Sequence, residues 1–303
     1  MIKIDIRQIL CPTDFSTPSA RAFEHALVLA EWYRAPVTVL HVLPEPVVAA
    51  PALAYGFTPA LVDGSLRDAV QADLASLAGS ANRAGLHAVT DLRDGNPATQ
   101  TVRVAQELRA DLIVMGTHGR TGFQRWVLGS VAETVLRRAP CPVLTVPPRA
   151  GEDPDPMFFK RIVCATDFSP ASEAAVRYAT ALAAEADASL LLVHVLDRPG
   201  SGSRPEPGIG GNGHTPDFEC AARSQLRRAV SPEAREWCRA QEVVACGKAA
   251  PEILRLAAAH QAGLIVMGVH GRSVLDLMAF GSVTHQVVRE AACPVLTVRT
   301  PSL

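Results

Sequence analysis

Two spacings of apolar residues alternate along this chain. Short continuous runs, such as Val39-Leu40-His41-Val42-Leu43 and Leu112-Ile113-Val114-Met115, have the texture of parallel strands buried on both faces. Between such runs the apolar positions recur at helical spacing, as in Ala22, Phe23, Ala26, Leu27 and Ala30. The pattern predicts strand, helix, strand, a long variable segment, helix, strand, helix, strand, a glycine loop, helix and strand. Strands alternating with helices imply an α/β fold, a parallel sheet with right-handed crossovers.

The whole order is written twice. Ile9-Leu10-Cys11-Pro12-Thr13-Asp14-Phe15-Ser16 returns as Ile162-Val163-Cys164-Ala165-Thr166-Asp167-Phe168-Ser169. Helix 1 returns with Ala175, Val176, Tyr178, Ala179 and Leu182. Residues 112–146 and 264–298 align without a gap at 20 identities in 35 positions, which marks domain duplication rather than a short solenoid repeat. The predicted domains are 1–147 and 159–303, joined by a proline-rich linker over 148–158. The segments after each second strand differ most: Pro44 to Asp63 is apolar with prolines, and Asp197 to Asp217 is Gly- and Pro-rich and expected to be flexible.

At 303 residues there is length for two ordinary domains. With 48% hydrophobic and 19% charged residues the composition is globular, and a net charge of -1 gives no electrostatic reason for nucleic acid or a membrane as partner. No apolar stretch reaches the roughly 18 residues of a membrane span, and the N-terminus has no signal-like apolar region, so a cytoplasmic protein is expected. The seven cysteines lie mainly in apolar runs with no Cys-x-x-Cys and read as reduced core residues.

The candidate chemistry is a glycine frame that each copy repeats. Gly116-Thr117-His118-Gly119 is followed after nine residues by Gly129-Ser130, and Gly268-Val269-His270-Gly271 after nine by Gly281-Ser282. Glycines allow close approach to a phosphate and supply positive φ, and the following helix N-terminus favours an anion. No Gly-Lys-Ser/Thr follows, so this is not a Walker loop; the dinucleotide fingerprint is excluded because the glycines follow the fourth strand, not the first. Arg120 and Arg272 stand next to the frame as terminal-phosphate contacts or solvated loop arginines. Asp14 and Asp167, just past each first strand, suit a ribose or adenine amine, or a helix N-cap in competition with Ser16/Ser169 or Ser19/Ser172. His118 and His270 read as phosphate-side donors, His41 and His194 as hydrogen-bonded core residues. Two histidines and one aspartate per copy are too few for a metal site. No nucleophile elbow or His-Glu-x-x-His is present, which favours binding over turnover.

With these motifs, and with Cys-Pro-Val-Leu-Thr-Val closing each copy, nearly the whole chain resembles the universal stress protein family as a tandem pair. The resemblance implies two Rossmann-like (adenine nucleotide alpha hydrolase-like) domains, each a five-stranded parallel sheet of order 3-2-1-4-5. It also implies ATP, with Mg²⁺, as the ligand of members carrying the glycine frame. By similarity Pro12, Thr13 and Asp14 would meet adenine and ribose, and Val42 the adenine through its backbone. Met115, Gly116, His118, Gly119, Gly129, Ser130 and Val131 would line the ribose and phosphate side, with Arg120 beside them. The second site would use Ala165, Thr166, Asp167, Val195, Met267, Gly268, His270, Gly271, Gly281, Ser282 and Val283, with Arg272.

Ala165 in place of Pro12, Gly263 in place of Asp111 and the unlike variable segments make two unequal sites the expectation, unit 1 being nearer the family pattern. The resemblance further implies pairing of the last strands, Cys141–Val146 against Cys293–Val298, as a dimer within the chain, with homodimerisation also open. A stress-response or signalling role through nucleotide-dependent conformation is the leading reading. A slow Mg²⁺-dependent ATP hydrolase and a nucleotide-free scaffold or chaperone-like protein are the alternatives.

Overall fold

The structure is a computed structural model that describes residues 4–44, 64–119, 128–148, 158–196, 216–269 and 280–299. Unit 1 runs β1 (Ile9–Pro12), α1 (Thr17–Tyr33), β2 (Val37–Leu43), α2 (Gly64–Arg83), β3 (Ala88–Asp94), α3 (Pro97–Glu107), β4 (Leu112–Gly116), α4 (Ser130–Arg138) and β5 (Val143–Val146). Unit 2 opens with a 3-10 turn (Phe158–Lys160). It continues with β6 (Arg161–Ala165), α5 (Pro170–Glu185), β7 (Ser189–Leu196), α6 (Pro216–Ala229), α7 (Pro232–Trp237), β8 (Arg239–Cys246), α8 (Ala249–Ala259), β9 (Leu264–Gly268), α9 (Ser282–Glu290) and β10 (Val295–Val298).

The ten strands form one sheet in the order β3-β2-β1-β4-β5-β10-β9-β6-β7-β8, so each half has the expected 3-2-1-4-5 order with parallel neighbours. The halves meet antiparallel, Leu144 opposite Leu296. Around that pair the contacts repeat: Thr145 Oγ1 donates to Val295 O at 3.1 Å and Thr297 Oγ1 to Val143 O at 3.2 Å. Alternating strand residues face two cores. Ile9, Cys11, Leu112, Val114 and Leu144 face α1 and α2, and the same layer continues through Cys164, Val266 and Leu296 under α5 and α6. Leu10, Ile113, Met115 and Val143 face α3 and α4, and Val163, Ile265 and Met267 face α8 and α9. Residues from both units share each core.

Several expectations need correction. The helix before β3 is one 20-residue element in unit 1, but unit 2 breaks the corresponding stretch at Ser231-Pro232, where Ser231 caps a new short helix. Cys11, Cys141, Cys164 and Cys238 are buried, but Cys220 and Cys246 are exposed, so the cysteines are not uniformly core residues. Asp111 lies at the start of β4, at the opposite end of the sheet from the glycine frame, where Oδ2 accepts from Arg7 N at 2.8 Å and Gln8 N at 3.1 Å. Its replacement by Gly263 alters a strand-start clamp and not the site. The expected flexible stretch of unit 2 and nearly all of the linker lie outside the described residues, except that Pro216 and Asp217 begin α6.

Candidate functional site

The order 3-2-1-4-5 sends the crossovers from β1 and β4 in opposite directions, which opens a crevice past their carboxyl ends. In unit 1 that crevice is a cleft of about 380 Å³. Of the residues expected there, Pro12, Thr13, Asp14, Val42, Met115, Gly116, His118, Gly119, Gly129, Ser130 and Val131 all line it. Arg120 lies outside the described residues.

The β1–α1 turn fixes one wall. Asp14 Oδ1 accepts from Ser16 N at 3.1 Å and from the Ser16 hydroxyl, and Ser16 in turn is the N-cap of α1. The capping role therefore belongs to Ser16, and Asp14 orients the cap. Phe15 is held at φ 62°, a left-handed conformation rare for a bulky side chain, with its N–H on Thr13 Oγ1 at 3.1 Å and its ring 4.7 Å from that of His41. Unit 2 repeats the strain at Phe168, φ 61°, over His194. Strain kept in two diverged copies belongs to a shaped site.

His41 and His194 are hydrogen-bonded residues of the turn. His41 Nδ1 lies 2.8 Å from Thr13 O and His194 Nδ1 2.8 Å from Thr166 O. Past the end of β1, the neighbouring strand is left with its backbone facing the cleft. Leu40 O accepts from Thr13 N at 2.8 Å, and backbone groups two residues apart face the same side of a strand, so the N–H and C=O of Val42 point where β1 has ended. That leaves a donor and an acceptor for a flat heterocycle.

The glycine loop is the other wall, and its glycines are needed for a different reason than positive φ. A Cβ on Gly116 would stand 3.0 Å from Pro18 O, and one on Gly268 2.8 Å from Ala171 C and Ser172 N. These glycines let the first turn of α1 or α5 lie against the strand end. Gly129, with φ -61°, is the extended N-cap of α4, and its N–H donates to Thr117 O at 2.9 Å. Thr117 N donates to Val146 O at 3.1 Å, and the Thr117 hydroxyl lies 2.9 Å from His118 Nδ1. The first turn of α4 therefore aims its backbone amides into the cleft.

The sequence pattern of the universal stress protein family matches residues 5–147 and 158–299. The chain belongs to the universal stress protein family. It is similar to a universal stress protein of Methanocaldococcus jannaschii, 38% identical over 141 residues, which are 46% of this chain and 81% of that one. It is also similar along its length to one of Mycolicibacterium smegmatis, 29% identical over 296 residues, 96% of each chain. The crystal structure of a universal stress protein from Archaeoglobus fulgidus has the same fold at a TM-score of 0.71, with 20% identity and coverage of 98% and 97% of the two chains.

In this universal stress protein the second crevice has the same frame with different walls. Ala165, Thr166, Asp167, Val195, Met267, Gly268, Gly281, Ser282 and Val283 occupy the positions of their unit 1 counterparts, and Gly281 N donates to Val269 O at 3.1 Å. His270, Gly271 and Arg272 lie outside the described residues. Thr117 is replaced by Val269 and the cleft-lining Ala132 by Thr284, whose hydroxyl donates to Gly268 O at 2.9 Å. Pro97 and Thr101, which line the first cleft from α3, are not among the residues that sequence reasoning selects; the unit 2 counterparts are Ala249 and the buried Ile253. Gly95, φ 120°, ahead of the N-cap Asn96, is the available signal that the chain turns back over the sheet there.

Proposed function

We propose that this protein binds ATP in the cleft of unit 1, and more weakly in the crevice of unit 2, and that it acts in a cytoplasmic stress response or signalling process through nucleotide-dependent conformation or interactions. The supporting observation is the convergence in one cleft of backbone groups facing a planar base, a carboxylate-bearing turn just past β1, and a helix N-terminus behind a glycine loop. Adenine would lie against Val42, ribose against Thr13 and Asp14, and the phosphates against Gly119, Gly129 and Ser130.

Among the described residues no group of three or more His, Cys, Asp or Glu side chains stands close enough to hold a metal ion. A Mg²⁺ ion would therefore arrive with the nucleotide and be held chiefly by its phosphate oxygens and water. Among the described residues no helix is long and apolar enough to cross a membrane. The β5–β10 pairing would keep the units together in solution and leave a homodimer to form through other surfaces. The unit 2 changes, Ile253 for Thr101, Val269 for Thr117 and Thr284 for Ala132, alter the lining of the second site and support an affinity unlike that of the first.

Denaturing the purified protein and identifying the released small molecules tests the proposal. Adenine nucleotide at up to two per chain is expected. Release of none, together with no binding of added ATP by the native protein, would overturn it.

A further inference from the structure

One arginine from unit 2 completes the helix at the cleft of unit 1. The helix α4, nine residues long, begins at the cleft with Gly129 as N-cap and Ser130 as first residue, and ends at Arg138. Its last carbonyls have no intrahelical partner, and a helix this short draws most of its stability from contacts at its face and ends. Because β10 runs antiparallel to β5, the residue after β10 arrives beside the end of α4. That residue is Arg299, 163 positions beyond Leu136 in sequence. Its half-buried guanidinium donates through Nη2 to Leu136 O at 2.8 Å and also to Arg137 O.

A cation on the carbonyl end of a helix satisfies the orphan acceptors and opposes the negative end of the macrodipole. The arrangement is one-sided. The unit 1 counterpart of Arg299 is Pro147, which has no side-chain donor to offer the end of α9. Arg299 also follows Val298, whose carbonyl accepts from Val269 N at 3.0 Å at the root of the second glycine loop. A single residue thus lies between the second loop and the helix of the first cleft.

We propose that Arg299 is a positioning residue for the unit 1 cleft: it anchors the far end of the helix whose first turn meets the phosphates, so that the site is complete only when unit 2 is paired with it. The inference rests on the ATP reading above. It predicts that phosphate recognition at site 1 depends on Arg299 and that site 2 does not.

The test is an ATP titration of the full chain followed by backbone amide NMR, with Gly119, Gly129 and Ser130 reporting site 1 and Gly281 and Ser282 reporting site 2. Arg299→Ala should weaken ATP at site 1 by about three- to tenfold, the range expected for a charged helix-end contact. It should leave site 2 and the affinity for adenosine unchanged and lower hydrogen-exchange protection over residues 130–138. Arg299→Lys should recover most of the loss, and Arg299→Met, which keeps the packed stem, serves if the alanine variant fails to fold. Equal ATP affinity at site 1 in wild type and variant, or equal weakening at both sites, overturns the inference. Wild-type protein whose amides do not respond to ATP overturns the ATP reading instead.

Discussion

The carboxylate of Asp14 and the backbone of Gly119 share one point of the cleft: a Cβ on Gly119 would stand 2.7 Å from Asp14 Oδ2. The carboxylate is tied by Oδ1 to Ser16, so it has little freedom to give way. The glycine at this position is thus the means by which the glycine loop closes against the β1–α1 turn. Gly119→Ala should weaken ATP binding by more than about tenfold while changing unfolding free energy by less than about 1 kcal/mol, since only a loop contact is lost. Fluorescent-nucleotide binding and urea unfolding on the same samples check both halves, and unimpaired binding would contradict this role.

The other glycines of the frame predict the opposite signature. A methyl group on Gly268 would press on the backbone of Ala171 and Ser172 at 2.8 Å, where nothing can swing aside. Gly268→Ala should cost about 1–3 kcal/mol of stability, as overpacking does. Gly116→Ala, facing Pro18 O at 3.0 Å, should cost less. Denaturant midpoints of the two variants give the order, and a neutral Gly268→Ala would count against close packing as the reason for the glycine.

Much of this was legible in the sequence, and what was not has physical causes. The doubled unit and the alternation of strands and helices follow from apolar periodicity and the repeated glycine frame, whereas the strand order and most of the cleft residues came from the resemblance to the universal stress protein family that those motifs carry. Pro97 and Thr101 were not visible because α3 reaches the cleft only through its crossover over the sheet. The reason for each glycine was also hidden: sequence spacing cannot separate positive φ from close approach, and Gly116 and Gly129 needed the neighbouring backbone to be placed. The replacement of Asp111 by Gly263 counted toward two unequal sites, yet a strand's length carries Asp111 to the end of the sheet away from the glycine loop.

Asp111 offers a clean separation of stability from binding. Its carboxylate holds Arg7 N and Gln8 N, so Asp111→Ala should cost about 1–3 kcal/mol through the loss of these two hydrogen bonds. ATP affinity should be unchanged, because the clamp is remote from the cleft. Loss of affinity in a folded Asp111→Ala protein, measured beside its unfolding curve, would show that the residue belongs to the site after all.

Burial gives the protein a defined response to alkaline pH. The thiols of Cys11 and Cys141 are pushed up to about 12 by burial, and burial raises that of Cys164 further. In the unfolded chain a thiol ionises at about 8.5. Between that value and the raised folded one the unfolded state holds fewer protons, so stability falls as pH rises. The slope is about 1.4 kcal/mol per pH unit for each such thiol. Urea midpoints under reducing conditions should drop between about pH 8 and about pH 10, and less steeply in Cys11→Ala. Midpoints that hold steady would contradict the burial of these thiols.

Whether the unit 1 cleft holds ATP is decided by calorimetric titration of the full-length protein, freed of endogenous nucleotide, with ATP and Mg²⁺. Gly119→Ala is the site control. Saturable binding is expected, with a tighter site that Gly119→Ala removes and a weaker one that it leaves. Absence of binding by the wild-type protein, or binding untouched by Gly119→Ala, would contradict ATP recognition in this cleft.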